Sequence, residues 1–531
     1  MALRRQPAVL LVLDGWGVAP PTRGNAIHIA QTPVMDHLMT SYPTVTLRAS
    51  GEAVGLPWGE VGNSEVGHLN IGAGKIIFQD LPRITKSIAD GTFFQNETFL
   101  QAIAHVKKNR SQLHLLGLTS SGGVHSSIDH LLALIELCAQ QRVVNVFIHA
   151  ILDGRDTPHN SGVKFLSQLH DRVRELKTGA IATVGGRYFA LDRDNHWDRI
   201  AKAYDAIVHG RSERTGTDPV ALVAAAYQER IYDEELPPSV ILNAQGTPVA
   251  TVEPGDAVIF FNFRNDRPRQ LTKAFVLPGF EKFDRGAYLR DLLFVTMTEY
   301  EQDLPVSIAF PPEHVGTPLA KVVADVGEHQ LHIAETEKYA HVTYFLNGGR
   351  EEPFPNEERV LIPSPPVASY DQKPEMSVRG ITERMIRELG TGKFAFIAAN
   401  FANADMVGHT GNLPATIKAV EAVDRSIGEI VEAVKSVGGI LCITADHGNA
   451  EEKINVQTGF LSKEHSANPV PFIVMSETLD ATRRERYRSR TADLSGMTPL
   501  GLLADVAPTL LALVGLPKPP DMTGQNLFPH L

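Results

Sequence analysis

Six side chains able to bind a divalent cation stand in loops beside apolar runs: Asp14, Asp405, His409, Asp446, His447 and His465. Oxygen and nitrogen donors without thiolate suit Mn²⁺, Zn²⁺ or Co²⁺ better than Ca²⁺. The set is too large for one tetrahedral site and about right for two ions. Asp405 and His409 are a weak pair alone, and adjacent Asp446 and His447 can share an ion only where the chain turns. Ser64 belongs to the same argument. It lies in Val-Gly-Asn-Ser-Glu-Val-Gly-His (61–68), where a helix could begin, within a stretch (61–75) whose four glycines are too many for a regular helix interior. Its hydroxyl reads either as a helix cap or as a nucleophile at a helix N-terminus, where backbone N–H groups welcome a phosphate. Beside two metals the second reading gains. One ion would lower the hydroxyl's pKa, and both would stabilise charge on a phosphoryl group in transit. Neither His-Glu-x-x-His nor Gly-x-Ser-x-Gly around Ser64 is present, which argues against a zinc peptidase and a Ser-His-Asp hydrolase.

Basic residues form a second group. Four apolar runs between residues 113 and 261 lead into His125, into Arg155 and Asp156, into Arg187 and Arg193, and into Arg264 and Arg267. Planar guanidinium forks at the carboxyl ends of successive strands predict an anion pocket at a sheet edge. Lys338, beside Glu335 and Glu337, reads as a solvated charge on local composition.

These residues need elements to hold them. Residues 8–13 form an apolar run without alternation, as in a central strand buried on both faces, and it ends at Asp14. Residues 25–39 read as a helix with Thr32-Pro33 as a possible cap. Strand-like runs at 113–118, 143–152, 180–184, 257–261 and 292–297 alternate with helical patterns such as 127–142. Residues 353–374 read as irregular. Later come a strand at 394–399, an amphipathic helix at 415–437, strands at 439–445 and 470–474, and a helix at 505–514. Asp14 and Ser64 come early, whereas Asp405 to His465 come late. If they form one site, the arginine-rich segment is an insertion whose pocket faces the metals.

A chain of 531 residues exceeds one core and predicts at least two domains. With 43% hydrophobic and 21% charged residues it reads as soluble and globular. The net charge of −11 argues against nucleic acid or an anionic membrane as partner, but not against an anionic small molecule. The basic opening residues precede an apolar run too short for a signal segment, and no run of about 20 apolar residues predicts a membrane span. Cys138 and Cys442 read as buried thiols, and the cytoplasm is the expected compartment.

The chain resembles the cofactor-independent phosphoglycerate mutases of the alkaline phosphatase superfamily. The resemblance is carried by Asp-Gly-Trp-Gly (14–17), Gly-Asn-Ser-Glu-Val-Gly-His (62–68), Gly-Gly-Val-His (122–125) and Asp-Gly-Arg-Asp-Thr-Pro (153–158). It continues through Gly-Arg-Tyr (186–188), Asp-Arg-Asp (192–194), Phe-Asn-Phe-Arg (261–264), Ala-Glu-Thr-Glu-Lys-Tyr-Ala-His (334–341), Asp-Met-Val-Gly-His-Thr-Gly (405–411) and Thr-Ala-Asp-His-Gly-Asn (444–449). It implies two α/β domains: a discontinuous phosphatase domain (1–78 and 311–531) and an inserted transferase domain (79–310). It implies interconversion of 2- and 3-phosphoglycerate through a phosphoserine at Ser64, with two Mn²⁺ ions and a monomeric chain. Asp14, Ser64, Asp446 and His447 would surround one ion, and Asp405, His409 and His465 the other. His125, Arg155, Asp156, Arg187, Arg193, Arg264, Arg267 and Lys338 would hold substrate. Asp156 would move protons between the glycerate hydroxyls, although a carboxylate among arginines should have a depressed pKa. Ser121, Ser127 and Asn265 depart from common family residues, and Glu-His-Ser-Ala-Asn-Pro (464–469) is a loose variant around His465. A phosphomonoesterase of the same superfamily and a non-catalytic metal-binding protein are the competing readings.

Overall fold

The computed structural model describes residues 6–455, 458–477 and 492–530; the basic residues 1–5 lie outside them. The chain divides into two compact units, Met1–Gln79 with Glu313–Leu531, and Asp80–Pro312.

The discontinuous unit is built on the strand Ala8–Leu13, all six of whose residues are buried. Apolar side chains on both faces suit only a strand covered from both sides, and truncating one such Leu to Ala costs about 2–5 kcal/mol. It runs parallel to Phe396–Phe401 on one side and to Ile440–Thr444 on the other. Gln330–Glu335 and Glu357–Ile362 continue the parallel set outward. Val470–Ser476 is antiparallel to both its neighbours, and Thr44–Arg48 and Gly501–Leu502 complete an eight-stranded sheet among the described residues. Glu357–Ile362 is a strand inside the stretch expected to be irregular. Its charged Glu-Glu-Arg start suits a sheet edge that must not pair further.

The expected helix at 25–39 is two helices, Ala26–Ile29 and Pro33–Ser41. Thr32 makes no side-chain cap. Asp424, on the 24-residue helix Leu413–Ser436, accepts instead from Val34 N–H (3.2 Å) and Met35 N–H (2.8 Å). A carboxylate remote in sequence thus satisfies donors that the local chain leaves open. The expected terminal helix begins as a short 3₁₀ turn, Leu503–Asp505, and continues as Val506–Leu513.

The second unit has its own eight-stranded sheet among the described residues, with Leu113–Leu118, Val146–Leu152 and Ala180–Gly186 parallel at its centre. Ala257–Phe260 and Leu293–Thr296 extend it on one side. The helix Ile128–Gln140, capped by Ser127, covers part of one face with buried Leu131, Leu134 and Ile135. Both cysteines are buried. Among the described residues, no helix is long and apolar enough to cross a membrane.

Candidate active site

In the discontinuous unit, the carboxyl ends of the parallel strands supply most of the polar groups. Asp14 follows Leu13, Asp405 lies two residues into the helix Asn403–Gly408, and Asp446 and His447 follow Thr444. Ser64 opens the helix Ser64–Ala73, at the helix start expected of it, and the helix continues through glycines that argued against a regular interior. Its glycines serve close approach. A Cβ at Gly67 would sit 2.7 Å from Asp446 Cβ and O, and one at Gly72 would strike the Leu346 carbonyl. Ser64 is not the cap. Asn63 is, its side chain accepting from Val66 N–H at 2.9 Å, which leaves the serine hydroxyl free for other work.

Ser64 Oγ lies 2.9 Å from His447 Nε2 and 3.2 Å from Asp14 Oδ1. Lys338, a solvated charge on local composition but a site residue by the family resemblance, is buried; its Nζ donates to Ser64 Oγ (2.8 Å), Asp14 Oδ1 (2.7 Å) and Asp405 Oδ2 (2.6 Å). Burial works against that ammonium, but Asp14, Asp405 and Asp446 together hold its pKa far above the ordinary lysine value. Burial also opposes the Asp405 carboxylate, which Lys338 and hydrogen bonds with His409 and His465 hold well below the usual range. His447 is likewise opposed by burial, yet Asp446 and Asp14 push it up to about 9. Three buried carboxylates face one lysine, so the site carries more negative charge than the ammonium neutralises.

Two donor groups are preformed. Asp405 Oδ1 is 3.1 Å from His409 Nε2 and 3.2 Å from His465 Nε2, and the two nitrogens are 2.9 Å apart. His409 Nδ1 faces the Lys463 carbonyl (2.6 Å) and His465 Nδ1 the Gly62 carbonyl (2.8 Å). Each Nδ1 therefore carries a proton, and both Nε2 atoms converge on one carboxylate oxygen, where a bound cation would take the place of the protons they share with Asp405. That convergence fits a divalent cation. The second group gathers Asp14, Ser64, Asp446 and His447, where the chain turns after Thr444 and lets neighbouring ligands face one another. Buried Asp446 Oδ2 faces His68 Nδ1 at 3.2 Å and His447 Nε2 at 3.5 Å without a well-aligned hydrogen bond, so it could take a cation.

His68 and Asn400 complete this centre and were not singled out from the sequence. His68 Nδ1 donates to the Ser64 carbonyl (2.8 Å) and lies 3.2 Å from Asp446 Oδ2. Its Nε2 meets Asn400 Nδ2 (3.0 Å), which also donates to Asp14 Oδ2 (2.7 Å). With acceptors at Nδ1 and a donor at Nε2, the tautomer is fixed by its neighbours. His68 belongs to a motif already noted for its serine, and Asn400 ends a buried strand; those were the available signals.

In the second unit, the expected basic residues gather at the carboxyl ends of the central strands. Arg187 is buried, and its Nη1 donates to Asp153 Oδ1 (2.6 Å) and Asp156 Oδ2 (2.5 Å). Arg193 Nη1 donates to Asp266 Oδ2 (2.7 Å), while Arg264 Nε and His125 Nδ1 approach Asp266 Oδ1 at 3.5 and 3.4 Å. Arg155 pairs with Glu234 at 3.1 Å, and Arg267 Nη1 donates to the Leu191 carbonyl at 3.0 Å. Burial and the charges of Arg187, Arg193 and Arg155 lower the Arg267 pKa, the mark of crowded like charges. Burial first, then Arg187, pushes His125 down to about 4, so it is neutral at pH 7. The buried Nε atoms of Arg187 and Arg267 have no partner, as expected of a pocket made for an anion.

Asp153, the first residue of Asp-Gly-Arg-Asp-Thr-Pro (153–158), belongs to this site as well. Its carboxylate also accepts from Ser120 Oγ (2.5 Å) and from the N–H groups of Arg155 (3.2 Å) and Asp156 (3.0 Å). It sets both the Arg187 fork and the backbone of the Arg155–Asp156 turn.

Comparison with known proteins agrees with both units. A family described as the BPG-independent PGAM N-terminus (iPGM_N) matches residues 84–302, and one described as type I phosphodiesterase / nucleotide pyrophosphatase matches 332–486, placing the chain in the alkaline-phosphatase-like superfamily. A 2,3-bisphosphoglycerate-independent phosphoglycerate mutase of Chloroflexus aggregans is 52% identical over 99% of each chain. One from Thermomicrobium roseum is 51% identical over 99% of this chain and 98% of its own. The crystal structure of Leishmania mexicana phosphoglycerate mutase at low cobalt concentration matches with a TM-score of 0.52 and 33% identity, over 99% of this chain and 98% of that one. The chain belongs to the family of 2,3-bisphosphoglycerate-independent phosphoglycerate mutases.

Proposed function

We propose that the chain interconverts 2- and 3-phosphoglycerate in glycolysis and gluconeogenesis, through a phosphoserine on Ser64, in the cytoplasm and as a monomer. The observation that carries this reading is the Ser64 hydroxyl held at a helix start between Lys338, Asp14 and His447. In the same reading, residues 1–78 and 311–531 form the phosphatase domain, and 79–310 the transferase domain.

Asp14, Ser64, Asp446 and His447 would hold one ion and Asp405, His409 and His465 a second, most simply Mn²⁺. When bound, such ions lower the serine hydroxyl's pKa and neutralise phosphoryl oxygens. Lys338 stabilises negative charge on Ser64 Oγ through its 2.8 Å hydrogen bond, and the N-terminus of Ser64–Ala73 favours an anion there. The Ser64 Oγ–P bond forms as the bond from phosphorus to one glycerate oxygen breaks. Asp156 gives that oxygen a proton and takes one from the other glycerate hydroxyl, whose oxygen then takes the phosphoryl group as the Ser64 Oγ–P bond breaks and the serine regains the proton it gave up in the first transfer. His125, Arg155, Arg187, Arg193, Arg264 and Arg267 retain glycerate between the two transfers. That retention separates a mutase from a phosphatase.

The test is turnover of 3-phosphoglycerate without added 2,3-bisphosphoglycerate, before and after chelation. The proposal expects 2-phosphoglycerate without the added cofactor, loss of activity with chelator and recovery with Mn²⁺. Release of inorganic phosphate in excess of isomerisation contradicts it.

A further inference from the structure

Glu451 is a buried carboxylate with no part in the reaction as derived, yet it accepts hydrogen bonds from three turns that carry proposed ligands. Its Oε2 accepts from Gly17 N–H (3.0 Å), on the turn after Asp14, and from Asn449 N–H (2.9 Å), on the turn after Asp446 and His447. Its Oε1 accepts from the Ser466 hydroxyl, next to His465, and from Asn468 Nδ2 at 3.0 Å. The backbone is shaped around this group. A Cβ at Gly17 or at Gly448 would land on the Glu451 carboxylate, so both turns approach it as only glycine allows. Asn449, held by Glu451 through its N–H, donates from Nδ2 to Asp405 Oδ1 at 2.8 Å. That link brings in the fourth ligand-bearing segment.

We propose that Glu451 is a positioning residue that locks the ligand turns of both metal subsites into one rigid unit. The inference rests on the two-ion reading above. Its chemistry is that of a charge-assisted hub, with one ionised acceptor gathering two backbone and two side-chain donors in a water-poor interior. Outer partners of metal ligands typically account for about 10–100-fold in metal affinity. Here one outer partner reaches both subsites, so its loss should be felt at both. A residue that merely stabilised the fold would lower the unfolding midpoint and leave affinity unchanged.

The test is calorimetric titration of metal-free full-length protein with Mn²⁺, for wild type, Glu451→Gln and Ser466→Ala. Glutamine keeps the shape but turns an amide donor toward donors, and Ser466→Ala removes one donor while leaving the charge. Wild type should take up two ions. Glu451→Gln should lose about tenfold or more in affinity at both subsites, and Ser466→Ala should lose less, again at both. Wild-type affinity at both subsites in a folded variant, or a loss confined to one, overturns the inference. If Glu451→Gln fails to fold, Ser466→Ala decides on the same criterion. A wild-type protein that binds no ion removes the two-ion reading, and the inference falls with it.

Discussion

Lys338 Nζ lies 2.8 Å from Ser64 Oγ and 2.6 Å from Asp405 Oδ2, so one buried ammonium touches both the serine hydroxyl and a carboxylate of the neighbouring imidazole group. Coulombic attraction to three acids keeps it charged at every physiological pH. It is therefore placed to stabilise negative charge on the serine oxygen as phosphorus is attacked.

Lys338→Met tests that role. Removing one preorganised donor from a developing oxyanion costs about 10²–10³ in kcat. The KM for 3-phosphoglycerate should move far less, because the proposed mechanism assigns glycerate binding to the arginine cluster. Steady-state kinetics checks both values. An unchanged kcat would show that the ammonium only balances charge.

Asp153→Asn addresses the second unit. The change keeps an acceptor for the Arg155 and Asp156 N–H groups but removes one of the two ionic partners of Arg187, leaving Asp156. Hydrogen bonds to charged groups contribute about 1.5–3 kcal/mol, or roughly 10–100-fold in kcat/KM. The loss should appear mainly as a raised KM, read from initial rates across substrate concentration. A wild-type KM would remove Asp153 from the positioning of Arg187.

Glu335 supplies a pH-dependent prediction away from the reacting atoms. It ends the strand Gln330–Glu335, is fully buried, and accepts from Ser364 Oγ at 2.9 Å. Burial pushes its pKa up to about 7 from 4.5. The folded state thus holds a proton that the unfolded state releases above about 4.5. Stability is fully present below that value and falls as pH rises through about 7, by roughly 3 kcal/mol in all. Glu335→Gln keeps the neutral shape and should gain stability over wild type at ~pH 8 but little at ~pH 5, by urea unfolding. An equal difference at both pH values would contradict the buried protonated carboxyl.

Much of this was legible from residue types and order. The unbroken apolar run before Asp14 announced a central strand, and the chemistry of Asp, His and Ser in later loops announced a metal-assisted phosphoryl site. The helix start at Ser64 was legible, but its continuation to Ala73 was not, because glycine usually opposes helix. Here Gly67 and Gly72 sit in a helix because Asp446 and Leu346 press against it, and that pressure exists only in the folded chain. Local composition alone made Lys338 look solvated, because its sequence neighbours are acidic; only the family motif marked it as a site residue, for its partners are 324 and 67 positions away. Asp153, Asn400 and Glu451 escaped for a related reason. Each acts on other residues of the site, and a hydrogen-bond hub has no local spacing to reveal it.

The account turns on Ser64 carrying the phosphoryl group, and mass spectrometry of acid-quenched protein after exposure to 3-phosphoglycerate tests this most directly. Mn²⁺-loaded protein should show one phosphoryl group on the peptide containing Ser64, and chelated protein none. Turnover with Ser64 never modified, or a Ser64→Ala protein that still interconverts the two phosphoglycerates, would contradict it.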